Sequence, residues 1–75
     1  MRQQAINNWF VYHAPTPDEV TTYEKLRSSA RDFANAINEL VPDCADKTAA
    51  IRKLREAMMT ANAAIACHNP GIPES

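Results

Sequence analysis

Pro42 stands between two stretches that each carry apolar residues at helical spacing, and that single break dictates most of what the chain can fold into. Before it, Val20, Tyr23, Leu26, Ala30, Phe33, Ile37 and Leu40 recur at steps of three and four, which makes one stripe along a helix. After it, Ile51, Leu54, Met58, Ala61 and Ile65 repeat the pattern. Proline has no N–H and its ring clashes with the preceding turn, so no helix runs through it. Thr16-Pro17-Asp18-Glu19 reads as the start of the first helix: a threonine cap, a proline at the first helical position and a glutamate completing a capping box. That helix is expected over 17–41. Asp43 and Asp46 are candidate caps for the second, expected over 44–68 and ended by Asn69-Pro70-Gly71. A short link between helices of similar length gives an antiparallel hairpin.

Residues 1–15 carry Ile6, Trp9, Phe10 and Tyr12, dense apolar content for so short a segment. A helical turn is expected through Gln3–Phe10, ended before His13-Ala14-Pro15, and Gly71–Ser75 is expected to be a flexible tail. The expected fold class is therefore all-α: an antiparallel two-helix hairpin with a short N-terminal helical segment, in one domain over 1–70. A chain of 75 residues buries only about 60% of its unfolded surface and needs a disulfide, a metal or self-association. Cys44 and Cys67 flank the second helix, roughly 35 Å apart at helical rise, beyond the ~7 Å reach of a disulfide. His13 and His68 lack zinc spacing. Self-association remains, and the sequence has surface to drive it. Ala57, Met58, Met59, Ala61, Ala64 and Ile65 spread around the second helix beyond one stripe, and Trp9-Phe10 needs a partner surface. Burying one such aromatic contributes about 1.5–3 kcal/mol. A homo-oligomer is expected; the alternative is a monomer with the N-terminal segment folded across the hairpin.

A net charge of −1 argues against bulk binding to DNA or to an anionic membrane. The longest apolar run falls far short of the ~20 residues that span a bilayer. No charged segment followed by an apolar one opens the chain, so secretion is not expected, and free thiols fit a reducing cytoplasm. The single glycine excludes a glycine-rich phosphate loop. No nucleophile–base constellation is legible, so the chain reads as a binding module, with no enzymatic activity, cofactor or metal expected.

Tyr12 and His13 sit in a proline-restricted loop, where binding residues concentrate. Tyr12 has two readings: a stacking platform for a nucleobase, worth about 1–3 kcal/mol per base, or apolar cover for the second helix. His13 is either a structural hydrogen-bonding residue or a ligand contact. Arg27 and Arg31 share a helix face, suited to phosphate, with Ser28 and Ser29 as hydroxyl donors beside them; a solvated charged face with Glu24 paired to Arg27 is the reading the pattern alone favours. Asn62, set among alanines, is a ligand contact or an interface register pin. Arg52, Lys53 and Arg55 form a basic cluster of the kind that usually faces solvent.

Three segments together carry a resemblance: Ile6-Asn7-Asn8-Trp9-Phe10-Val11-Tyr12-His13-Ala14-Pro15-Thr16-Pro17, Tyr23-Glu24-Lys25-Leu26-Arg27, and Ala57-Met58-Met59-Thr60-Ala61-Asn62-Ala63-Ala64-Ile65-Ala66. In order and spacing the chain resembles the phage anti-CBASS cyclic-oligonucleotide sponges, which share a hairpin domain with the Thoeris anti-defence sponge. The resemblance implies six-chain particles of helical hairpins in the host cytoplasm. They would hold cyclic dinucleotides, and in some members cyclic trinucleotides or cyclic ADP-ribose isomers, without cleaving them. It implies base stacking by Tyr12, phosphate contact by Arg27 where some relatives have lysine, and a nearby hydroxyl from Ser28 or Ser29. Some members carry a basic residue near the end of the second helix for a second pocket. Here that stretch is Ala66-Cys67-His68, a departure that bears on trinucleotide binding, with protonated His68 the available substitute. The candidate ligand-binding set is Phe10, Tyr12, His13, Arg27, Ser28, Ser29, Asn62 and His68.

Two other classes stand beside this one: a small helical oligomer that docks a protein, and a phosphodiesterase-like enzyme, which needs a metal or general base the sequence does not show. Light scattering in dilute solution is expected to give a mass well above 8.3 kDa; a folded species at that mass overturns the expected self-association.

Overall fold

In the computed structural model, which describes residues 1–68, the chain forms three helices: α1 (Gln3–Trp9), α2 (Pro17–Leu40) and α3 (Ala45–Cys67). No strand occurs among the described residues. The helix stop at Asn69-Pro70-Gly71 and the expected tail at 71–75 lie outside them. α2 starts at the capping box: the Glu19 N–H donates to Thr16 Oγ1 at 3.2 Å, and the Thr16 N–H donates to Glu19 Oε1 at 2.9 Å. It ends one residue short of the expected boundary. The Val41 N–H still donates to the Ile37 carbonyl at 3.0 Å, but Val41 itself is extended (φ −102°, ψ 134°), as the residue before Pro42 must be.

α3 begins differently from expectation. Cys44 is the N-cap and contributes no side-chain bond, so neither Asp43 nor Asp46 caps the helix. Asp43 is otherwise engaged: its Oδ1 accepts from Lys47 Nζ at 2.8 Å. Asp46 lies inside the first turn, where its charge meets the positive end of the helix. Lys47 also donates to the Asn38 carbonyl at 2.8 Å. That carbonyl belongs to the last turn of α2, whose final oxygens have no partner within the helix. One ammonium thus caps α2, neutralises Asp43 and fixes the link between the helices, and it is 9% exposed while doing so.

α3 packs on α2 through Ile51, Leu54, Met58, Ala61 and Ile65, all half-buried, as the stripe predicts. On α2 the stripe needs correction. Tyr23, Leu26, Ala30 and Ile37 are half-buried, but Val20, Phe33 and Leu40 are exposed, the last two at 59% and 82%. The contacting line runs through Ala34, which is half-buried. Steps from Ala30 to Ala34 to Ile37 keep to the 3.6-residue period, whereas Phe33 and Leu40 sit to one side of it. Alanine at the crossing also lets the two backbones approach.

α1 lies against α3, and Ala5 beneath it is 1% exposed, the one buried apolar residue among those described. The N-terminal segment therefore does fold onto the hairpin. This does not complete a core. The radius of gyration is 15.6 Å, against about 11 Å for a compact domain of this length. The molecule is elongated, 45 Å in its longest extent against 17 Å in its shortest. Both cysteines are free.

Lys47→Ala leaves the Asn38 carbonyl without its donor and is expected to cost about 1–3 kcal/mol, read as a lowered thermal midpoint. The Lys47 hydrogen bond and charge hold the Asp43 carboxyl below its ordinary value of 3.8. A depressed carboxylate stabilises the fold above its unfolded pKa and loses that contribution as pH falls through the folded one. Stability is therefore expected to fall below about pH 4, and Asp43→Asn to flatten that acid limb in a circular dichroism titration.

Candidate functional site

Two places gather polar groups with chemistry to offer. The first is a shallow groove of about 180 Å³ along one side of the hairpin. α2 contributes Arg27, Ala30, Arg31 and Ala34, and α3 contributes Ile51, Leu54, Arg55 and Met58. Each set is spaced i, i+3, i+4, i+7, so each is one face of its helix. The alanines, isoleucine, leucine and methionine are half-buried and form the floor, while the three arginines are exposed along the rim. None of the three makes an ion pair among the described residues, so the Glu24–Arg27 pairing open to the sequence does not form. The lining is almost wholly apolar, so the arginines border the groove with the hydrocarbon of their side chains, and the groove itself suits a flat apolar group. The groove is smaller than the ~300 Å³ at which small-molecule pockets begin, so this groove by itself does not enclose a nucleotide.

The second place is the open end of the hairpin, where the N-terminal segment is tied down. Asn8 Nδ2 donates to the Cys67 carbonyl at 2.6 Å, capping the end of α3 from α1. The Asn8 carbonyl in turn lies 2.7 Å from His13 Nε2 and 3.9 Å from Cys67 Sγ, both placed to donate to it. Nearby, burial pushes the Tyr23 hydroxyl above its ordinary value of 10.0, with Glu19 and Cys67 adding to the rise. The loop held by this cluster presents Phe10 at 83% and Tyr12 at 76% exposure.

The family model described as the Acb2/Tad1 hairpin domain matches residues 2–66. The chain belongs to that family, the anti-CBASS and anti-Thoeris sponges. Comparison with curated proteins and with solved structures gave no match to either.

Set on an Acb2/Tad1 hairpin, the residues singled out from sequence fall into separate groups. Arg27 lines the groove. Phe10 and Tyr12 stand exposed on the N-terminal loop and do not line it. His13 is half-buried and its ring nitrogen is taken up by the Asn8 carbonyl, which is the structural reading of that residue. Ser28 and Ser29 are exposed on α2, and His68 is exposed as the residue capping α3. Asn62 is half-buried, with a shielded Oδ1 that has no partner among the described residues. The hairpin also brings in Arg31 and Arg55, which stood outside the candidate set. Arg55 parts company with Arg52 and Lys53 because it adjoins Leu54 and Met58 on the inward stripe, a signal present in the spacing.

Asn8→Ala removes the cap on the Cys67 carbonyl and is expected to cost about 0.5–1.5 kcal/mol. Hydrogen exchange should quicken in α1 while the Lys47 end keeps its protection; equal quickening at both ends would contradict a local tie.

Proposed function

We propose that the chain sequesters cyclic oligonucleotide second messengers, cyclic dinucleotides first among them, and releases them unaltered. The observation that carries this reading is the family match over 2–66, together with an unpaired Arg27 at an apolar groove and an exposed Tyr12. Tyr12 offers a face for a base, Arg27 a two-pronged donor for phosphate, and Ser28 or Ser29 a further hydroxyl. His13 and Asn8 serve by holding the Tyr12 loop rather than by touching ligand. Sequestration needs affinity and abundance only, so no general base or metal has to be found. Competing with a host effector takes binding near nanomolar, about −12 kcal/mol.

The reading includes assembly. The groove is too small to enclose such a ligand, and Phe10, Phe33, Leu40 and Met59 are exposed apolar surface. A homo-oligomer, a hexamer by the family resemblance, would cover that surface and close the pocket between chains. A two-fold pair would present two Tyr12 rings and two Arg27 forks to a ligand of matching symmetry. Cyclic trinucleotides and cyclic ADP-ribose isomers are further candidate ligands, with His68 and Asn62 available to a second pocket. The place of action in this reading is the host cytoplasm.

Native mass spectrometry with a mixture of cyclic dinucleotides, cyclic trinucleotides and cyclic ADP-ribose isomers tests assembly, ligand and intactness at once. A multi-chain species carrying intact cyclic dinucleotide is expected, with at least tenfold weaker binding for Tyr12→Ala and for Arg27→Ala, about 1.4 kcal/mol or more. Absence of binding at micromolar ligand, or recovery of a linearised product, overturns the proposal.

A further inference from the structure

We infer that His13 and Asn8 are positioning residues that hold Tyr12 out as a ready-made face, through a chain of caps running from the loop to the end of α3. That Tyr12 is the face that takes a nucleobase rests on the sponge reading; the brace rests on the hydrogen bonds alone. The Cys67 carbonyl ends α3 and the Asn8 carbonyl lies in the last turn of α1, so neither has a partner inside its own helix. The Asn8 side chain donates to the first at 2.6 Å, and His13 Nε2 reaches the second at 2.7 Å. Asn8 is thus bonded on both sides, to α3 through its amide and to the loop through its main chain. The His13 bond closes a ring over residues 8 to 13, with Trp9, Phe10, Val11 and Tyr12 between the two anchors.

Burial shows what the ring does. Asn8 and His13 are half-buried, whereas all four residues between them are exposed. Four apolar side chains in a row gain by leaving water, so a free loop would fold them onto the apolar faces of the hairpin. The ring opposes that collapse by pinning both of its ends against the molecule. Downstream the segment is fixed again. Ala14 precedes a proline and is confined to extended backbone. Thr16 is locked to Glu19 by the two bonds of the capping box, at 2.9 and 3.2 Å. Tyr12 therefore sits between ties to α1 and α3 on one side and to α2 on the other. A face ordered beforehand loses less freedom when a ligand arrives, and affinity rises although neither His13 nor Asn8 touches that ligand.

Two measurements on the full chain test this, with His13→Ala, His13→Gln, Tyr12→Ala and the Tyr12→Ala, His13→Ala double variant. The first is the heteronuclear NOE of the ligand-free amides of Phe10, Val11 and Tyr12, which reports loop order on the ps–ns scale. Order is expected to drop in His13→Ala and to return in His13→Gln, whose amide can donate in place of the ring. The second is calorimetric affinity for cyclic di-AMP or cyclic di-GMP, whichever the parent binds more tightly. His13→Ala is expected to bind about tenfold more weakly, with most of the loss recovered in His13→Gln. In the Tyr12→Ala background the same change should matter less than about twofold, because a positioning residue acts through the side chain it positions. Where His13→Ala does not fold, His13→Asn, whose amide is one bond shorter, takes its place. Additive losses in the double variant would make His13 a ligand contact and overturn the inference. So would a His13→Gln loop that is ordered yet binds as weakly as His13→Ala. A loop that keeps its order in His13→Ala overturns the brace and leaves the sponge reading standing. If neither cyclic dinucleotide binds the parent while loop order still follows His13, the sponge reading falls and the brace stands.

Discussion

The ammonium of Lys47 holds the hairpin together at the point where the chain has least freedom to err. It donates to the Asn38 carbonyl and to the Asp43 carboxylate, each at 2.8 Å. Those bonds satisfy an end of α2 that has no internal partner and tether the link to the first turn of α3. The tether fixes the turn between the two helices, and their packed faces set the alignment. With it in place, Arg27, Ala30, Arg31 and Ala34 lie beside Ile51, Leu54, Arg55 and Met58. A slip of one turn would put Arg55 against a different part of α2 and dissolve the groove.

The opposite end is tied by side-chain and carbonyl bonds from a seven-residue helix, α1, rather than by a charged group. Asn8 reaches the Cys67 carbonyl, and His13 reaches the Asn8 carbonyl. Both bonds constrain the loop that carries Phe10 and Tyr12. Between the two ties no large side chain among the described residues is fully buried. Its apolar groups are gathered into stripes on helix faces rather than into a core, and several remain open to solvent. In the proposed assembly those faces become the contacts, and the half-formed groove becomes the wall of a pocket. The same shortage of interior that makes one chain marginal is what leaves binding surface available.

How much was legible follows from which forces are local. The capping box at Thr16 and Glu19, the stop before Pro42 and the α3 stripe depend on neighbours within a few residues, and the sequence shows them directly. The cap expected at Asp43 does not form because a lysine four residues on takes its carboxylate, and Asp46 does not cap because it already lies inside the first turn. Phe33 and Leu40 read as core from spacing alone because steps of three and four tolerate a drift that real packing rejects. Alanine at position 34 takes their place where the helices cross. Of the residues along the groove, Arg27 was legible from its helix face, while Arg55 was passed over within a basic run whose other members lie outside the groove.

The sequence by itself determined the number of long helices, where α2 begins and that it stops before Pro42, which face of α3 turns inward, and the family to which the hairpin belongs. Each is written in short-range pattern, in motif order or in the rigid chemistry of proline. Only the tertiary structure decided which α2 residues meet α3, that Arg31 and Arg55 share a groove with Arg27, and that Asn8 and His13 hold the Tyr12 loop. Those relations join residues up to 59 positions apart, and their geometry is settled by how two helices pack, not by any local preference of the residues involved.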